Sequence, residues 1–136
     1  MKDISGRSIF LAEDDVDDQD FLIDALRELD GSLQIQVADS GEKAIEYLQA
    51  LPSGQLPQVV ILDYNLPKYN GYQILSFLKN DPRFAGVTKL VWSTSNSPMY
   101  QQRCLDEGAT AYLVKPTDLS GIKSIAAAIL SHYPAR

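Results

Sequence analysis

Cysteine and histidine are nearly absent from this chain, which holds one of each in 136 residues. Cys104 alone cannot close an intrachain disulfide, and one thiol with one imidazole cannot assemble a zinc or iron site. Any bound metal is therefore expected to be a hard cation held by oxygen. Basic residues are the minority, 12 Lys and Arg against 18 Asp and Glu, for a formal charge of -6 and a pI near 4.6. That balance argues against a nucleic-acid surface and against attraction to anionic lipid. No apolar run approaches the roughly 20 residues that span a bilayer. The longest, VVIL and IAAAIL, suit a strand and a helix face. The opening residues MKDISGR lack the apolar stretch of a secretory leader, so a cytoplasmic protein is expected. What is present suffices for one core: 45% of the residues are hydrophobic in a 15.1 kDa chain, the size of a single domain over residues 1–136.

The stretch VVILDYNLPKYNG, from Val59 to Gly71, organises the rest. Four apolar residues run without alternation into Asp63, as in a strand buried on both faces. Asn65, Pro67, Asn70 and Gly71 then break the strand and leave Asp63 at a loop mouth. A second apolar run, Arg7 to Ala12, ends in Glu13, Asp14 and Asp15. From Asp17 the residues Phe21, Leu22, Ala25, Leu26 and Leu29 recur at helical spacing, with Asp17, Asp18 and Asp20 at the positive dipole end. Leu33, Ile35 and Val37 alternate with polar residues as an edge strand should. A helix capped by Ser40 follows, and the Pro52 to Pro57 loop reads as an insertion. Helices are expected after Gly71 and from Pro98 to Gly108, with strands over Lys89 to Trp92 and Ala111 to Val114. A last amphipathic helix carries Leu119, Ile122, Ile125, Ala126 and Ile129. Strands alternating with helices predict a doubly wound parallel α/β sheet of five strands.

Four of these strands end in chemistry: Glu13/Asp14, Asp63, Ser93 and Lys115. In an open parallel sheet, ligands sit outside the carboxyl ends of the strands. Carboxylates gathered there raise one another's pKa unless a cation shares the site. Lys115 supplies one charge, and Mg2+, which accepts few protein ligands and keeps waters and phosphate oxygens, suits the rest. These are the parts of a phosphoryl-transfer site: Asp63 as nucleophile, Ser93 as hydroxyl donor to the transferred group, and Lys115 as a second positive contact.

The segments FLAEDD, VILDYNLP, WSTS and YLVKP, in that order, resemble the response-regulator receiver domain of two-component signalling. Asp63 stands 30 positions before Ser93 and 52 before Lys115, as in that family. The resemblance implies the CheY-like strand order 2-1-3-4-5. It implies a phosphoacceptor role for Asp63, served by a sensor histidine kinase, and Mg2+ held by Glu13, Asp14, Asp63 and the Asn65 carbonyl, with Asp15 a further candidate. It also implies a cis Lys115-Pro116 peptide and a switch role for Tyr112, whose ring would turn inward on activation. Tyr100, Tyr112 and Tyr133 could then border a face of helix 4, strand 5 and helix 5 that binds a partner or a second copy. The long loop and the LKNDPRF segment are similar to single-domain receivers that partner phytochrome-type kinases. No output domain is expected, so signalling would pass through a downstream protein or a phosphorelay partner.

Other readings fit less well. An EF-hand lacks its sixth-position glycine and closing Glu. A haloacid-dehalogenase-type phosphatase wants an acid two residues after the nucleophile, where Asn65 stands. An FMN site after the first strand would meet carboxylates that repel phosphate. A pseudo-receiver that binds a partner without phosphate chemistry remains the alternative. Trp92 and Cys104 read as packing, and His132 as a solvent-exposed residue near the chain end.

Overall fold

The computed structural model describes residues 7–133. Its five strands are β1 (Ser8–Ala12), β2 (Gln34–Ala38), β3 (Val59–Asp63), β4 (Thr88–Ser93) and β5 (Ala111–Val114). They form one parallel sheet in the order β2-β1-β3-β4-β5. The helices are α1 (Val16–Leu29), α2 (Gly41–Ala50), α3 (Gly71–Lys79), α4 (Pro98–Asp106) and α5 (Leu119–Ser131), with single 3-10 turns at Ser53–Gln55 and Pro82–Phe84. The expected doubly wound α/β fold is therefore the observed one.

Alternation along the central strands divides the apolar residues into two cores. Ile9, Leu11, Val59, Ile61, Leu90 and Trp92 pack with Leu22 and Leu26 of α1 and Ile122, Ala126 and Ile129 of α5. Phe10, Ala12, Val60, Leu62 and Val91 face the other way, against Ala44 and Leu48 of α2, Ile74 and Leu75 of α3 and Cys104 of α4. All of β3 is buried because both its faces are covered. At the edge, Gln34 and Gln36 of β2 are exposed and Ile35 and Val37 half-buried, the alternation read from the sequence.

Side chains define the helix starts. Asp15 caps α1 by accepting from the Asp18 amide, Ser40 caps α2 through the Lys43 amide, and Asn70 with Gln73 forms a reciprocal capping box on α3. Ser97 and Asp118 cap α4 and α5. Gly108, at φ 107, occupies the left-handed turn that closes α4. Two cations, the half-buried Arg83 and the buried Lys89, tie loops at the opposite end of the sheet. Arg83 donates through Nη1 to the Leu51 carbonyl at 2.6 Å and through Nη2 to that of Leu48 at 3.5 Å, while pairing with Asp81. Lys89 Nζ donates to the Phe84 and Val87 carbonyls at 2.6 and 3.0 Å.

Three expectations are corrected. No peptide bond among the described residues is cis, so Lys115-Pro116 is trans, the isomer that a prolyl amide favours by about 0.5–1 kcal/mol. Tyr133 lies away from the α4-β5-α5 face. It packs against the α1/α5 core with the Arg7 guanidinium 4.8 Å over its ring, because α5 returns the chain to the amino end of β4, where the His132 carbonyl accepts from the Thr88 hydroxyl. His132 itself is half-buried.

Candidate phosphoryl-transfer site

The residues at the four strand ends are held as extra rungs of the sheet. The Glu13 amide donates to the Ala38 carbonyl at 3.0 Å, continuing the β1–β2 pairing by one residue. The Lys115 amide does the same to the Ser93 carbonyl at 2.7 Å, and the Tyr64 amide to that of Trp92 at 3.1 Å. In register, Asp63 pairs with Trp92, so Ser93 stands one residue further along the same edge and is buried. The geometry of the cluster thus follows from strand length, with little left to loop conformation.

Glu13, Asp14 and Asp63 can each offer a carboxylate oxygen within 4.8 Å of the others. Glu13 is fully buried, Asp63 is 4% exposed, and Asp14 faces solvent. Burial outweighs the nearby ammonium and pushes the Glu13 carboxyl up to about 7, with the Asp63 charge adding to the rise. A desolvated carboxylate beside two others is short of positive charge, and an all-oxygen set of this kind fits a hard divalent cation such as Mg2+. Asp15, the other acid considered for that role, is committed as the α1 cap, its Oδ1 accepting from the Asp18 amide at 2.9 Å.

Lys115 Nζ lies 2.8 Å from Glu13 Oε1, 3.0 Å from Asp18 Oδ2 and 3.1 Å from Asp63 Oδ2, and 4.7 Å from the centre of the Trp92 ring. Burial by itself would lower the lysine pKa. The carboxylates of Glu13, Asp63 and Asp18 outweigh it and hold the group above its ordinary value, so the ammonium stays charged. Asp18 was not singled out in the sequence, where an acid in a first helical turn has a sufficient explanation in the dipole. Only the proximity of α1 to the end of β5 reveals its second role.

The loop after β3 is held close to Asp63. The Asn65 amide donates to Asp63 Oδ1 at 3.0 Å, and the Gly71 amide to the Tyr64 carbonyl at 3.1 Å. A Cβ on Gly71 would meet the Asp63 carbonyl oxygen at 2.8 Å, so the start of α3 can approach the acid only as glycine. Ser93 Oγ accepts from the Ser95 amide at 3.1 Å. Tyr112 is half-buried, its hydroxyl donating to the Ser95 carbonyl at 2.9 Å. Tyr100 stacks on Tyr64 at 4.6 Å between ring centres, and Arg103 donates to the Tyr64 hydroxyl at 3.4 Å. The residue after Asp63 is thereby joined to α4.

Known proteins resemble this chain in both sequence and fold. The chain is 31% identical over 97 residues to the two-component response regulator ORR11 of Oryza sativa subsp. indica, an alignment covering 71% of this chain and 64% of that one. It thus spans somewhat under two thirds of that relative. It is 30% identical over 117 residues to the probable methanogenesis regulatory protein FilR2 of Methanothrix harundinacea, covering 85% of this chain and 76% of that one. The phosphorylated cyanobacterial phytochrome response regulator RcpA superposes with a TM-score of 0.85 at 27% identity over 93% of each chain. The bacteriophytochrome response regulator AtBRR does so with a TM-score of 0.74 at 27% identity over 96% of each chain. Residues 9–127 match the family model described as the response regulator receiver domain, and with the sheet order and the clustered strand ends this places the chain in the receiver-domain family of two-component signalling.

Proposed function

We propose that the protein is a phosphoacceptor in a two-component phosphorelay, with Asp63 receiving a phosphoryl group from the phosphohistidine of a sensor kinase. A carboxylate oxygen of Asp63 would attack phosphorus as the phosphorus–nitrogen bond breaks. The imidazole leaves with the electron pair and takes a proton from solvent. No general base is needed, since the attacking group is a carboxylate. Lys115 meets the charge gathered on the phosphoryl oxygens, and the Ser93 hydroxyl donates to one of them. Glu13, Asp14 and Asp63, with the Asn65 carbonyl, would hold Mg2+, which when bound neutralises charge on the transferred group. The observation that carries this reading is the position of Asp63, 4% exposed, 3.1 Å from Lys115 Nζ and grouped with two further carboxylates.

The output would be an altered protein interaction. Tyr112 is the expected switch residue, its hydroxyl tied to the Ser95 carbonyl beyond β4. Met99 and Leu105 of α4, Val114 of β5 and Leu119 of α5 are exposed apolar residues on the elements expected to bind a downstream protein or a second copy. Similarity to RcpA and AtBRR supports a phytochrome-type kinase as the donor. Among the described residues no helix is long and apolar enough to cross a membrane, in keeping with action in the cytoplasm.

The decisive experiment is intact-protein mass spectrometry after incubation with acetyl phosphate and Mg2+, comparing wild type with Asp63→Asn. A phosphoryl increment that requires Mg2+ and disappears in the variant is expected. No increment in the wild type would favour a pseudo-receiver, and an increment retained in Asp63→Asn would put the phosphoacceptor elsewhere.

A further inference from the structure

A lysine ammonium has three hydrogens to donate, and Lys115 has three carboxylates within 3.1 Å, donating to Asp18 and Asp63 and forming an ion pair with Glu13. Two of the three belong to the cation-ready group formed with Asp14; Asp18 does not. During phosphoryl transfer the obligations of those two change. On the reading of Asp63 as phosphoacceptor, that residue would become an acyl phosphate with no free carboxylate, and Glu13 would be among the residues holding Mg2+. Asp18 alone keeps an unaltered negative carboxylate beside the ammonium throughout.

We propose that Asp18 is the positioning residue that keeps Lys115 directed at the reacting centre when Glu13 and Asp63 are otherwise engaged. The inference rests on the reading of Asp63 as phosphoacceptor. Its structural support is a chain of local anchors. The Asp18 backbone amide is fixed by the Asp15 cap at 2.9 Å, and the first turn of α1 is fastened to the end of β1 by Gln19 Nε2, which donates to the Glu13 carbonyl at 2.6 Å. Below the ammonium the Trp92 ring forms a fully buried floor. Lys115 is a flexible side chain held between a rigid aromatic face and a helix-borne carboxylate. Asp18, with a side chain 34% exposed, stands on the solvent side of that arrangement. Removing Asp18 would leave the ammonium free to swing once its other two partners are withdrawn.

The protein contains one tryptophan, so its emission reports on the cation above that ring. Two measurements on Asp18→Ala and Asp18→Glu test the idea. The first is the rate of phosphoryl uptake from acetyl phosphate with Mg2+, read by intact mass. The second is Trp92 emission in the metal-free protein, made in a Glu13→Gln, Asp63→Asn background where the other two partners have lost their charge, with Lys115→Ala in the same background as the reference for an absent ammonium. Loss of orientation is expected to slow uptake by Asp18→Ala about tenfold or more. Asp18→Glu should recover part of that rate, and the emission of Asp18→Ala should move toward that of Lys115→Ala. A wild-type rate in Asp18→Ala overturns the proposal, and so does an unchanged emission, since the ammonium has then not moved. A wild type that takes no phosphoryl group would overturn the reading of Asp63 instead. The emission comparison needs neither metal nor phosphodonor, so it would still decide whether Asp18 holds Lys115.

Discussion

Gly41 lies directly against the backbone of Tyr69: a Cβ at position 41 would fall 1.9 Å from the Tyr69 carbonyl oxygen and 2.6 Å from its Cβ. The Gly41 amide also donates to the Pro67 carbonyl at 3.0 Å. The first residue of α2 thereby supports the loop that carries Asn65 past Asp63. Gly41→Ala must displace that loop, and overpacking of this kind costs typically about 1–3 kcal/mol. Scanning calorimetry should show a lower unfolding midpoint, together with slower phosphoryl uptake on Asp63. An unchanged midpoint would mean that the loop yields freely.

Lys68 sits in the same loop at φ 74, in the left-handed region that a side chain enters at a cost. The αL conformation costs an L-residue about 1–2 kcal/mol, and glycine escapes it at a smaller entropic cost. Lys68→Gly should therefore raise the urea midpoint, the gain in stability being up to about 1 kcal/mol. A fall would show that the Lys68 side chain makes contacts worth more than its strain.

Tyr112→Phe deletes one hydrogen bond, from the hydroxyl to the Ser95 carbonyl, and leaves the ring in place. The cost to global stability should stay within about 1.5 kcal/mol. Amide exchange in residues 95–97 should quicken, because the loop after β4 loses its tie to β5. If exchange there does not change, Tyr112 does not hold that loop and its assignment as the switch weakens.

Cys104 is fully buried against the core of α2, α3 and α4, and burial pushes its thiol from an ordinary 9.0 up to about 11. The folded protein retains this proton where the unfolded chain has already lost it. The contribution of the thiol to stability is full below pH 9 and declines as pH rises from 9 toward 11. Urea midpoints of wild type should fall across that window more steeply than those of Cys104→Ala, and a thiol reagent at pH 8 should modify only the unfolded protein. Equal slopes would remove the thiol as the cause.

The sequence was most legible where one physical demand acted at a time. The unbroken apolar run of β3 could serve only a strand covered on both faces, and its acid could only stand at the end. The short apolar run before Lys115-Pro116 marks β5 at Ala111–Val114, although as an edge strand it is at most half-buried. Gln34 and Gln36 marked an edge because a covered strand would not leave amides outward. Asp18 was hidden because two demands coincide on it, a favourable helix start and an ammonium delivered by a strand 97 residues away. The Asn70–Gln73 capping box is masked in the sequence because Asn70 and Gly71 are also turn residues. The place of Tyr133 is not legible because the helical period of α5 shows which side of the helix is apolar, but not that the chain leaves it at the amino end of β4, beside Arg7.

Arg83, by donating to the Leu48 and Leu51 carbonyls, secures the end of α2 from outside the connection that follows it. The segment from Pro52 to Pro57 is therefore relieved of carrying helix and strand in register, and it holds only one 3-10 turn of its own. In evolutionary terms it is a place where length can drift. Each doubling of a flexible loop costs only about 0.6 kcal/mol, so residues gained or lost there would leave β3 and its terminal acid where they stand. The same latitude makes it the first place to graft an epitope or a label without disturbing the site.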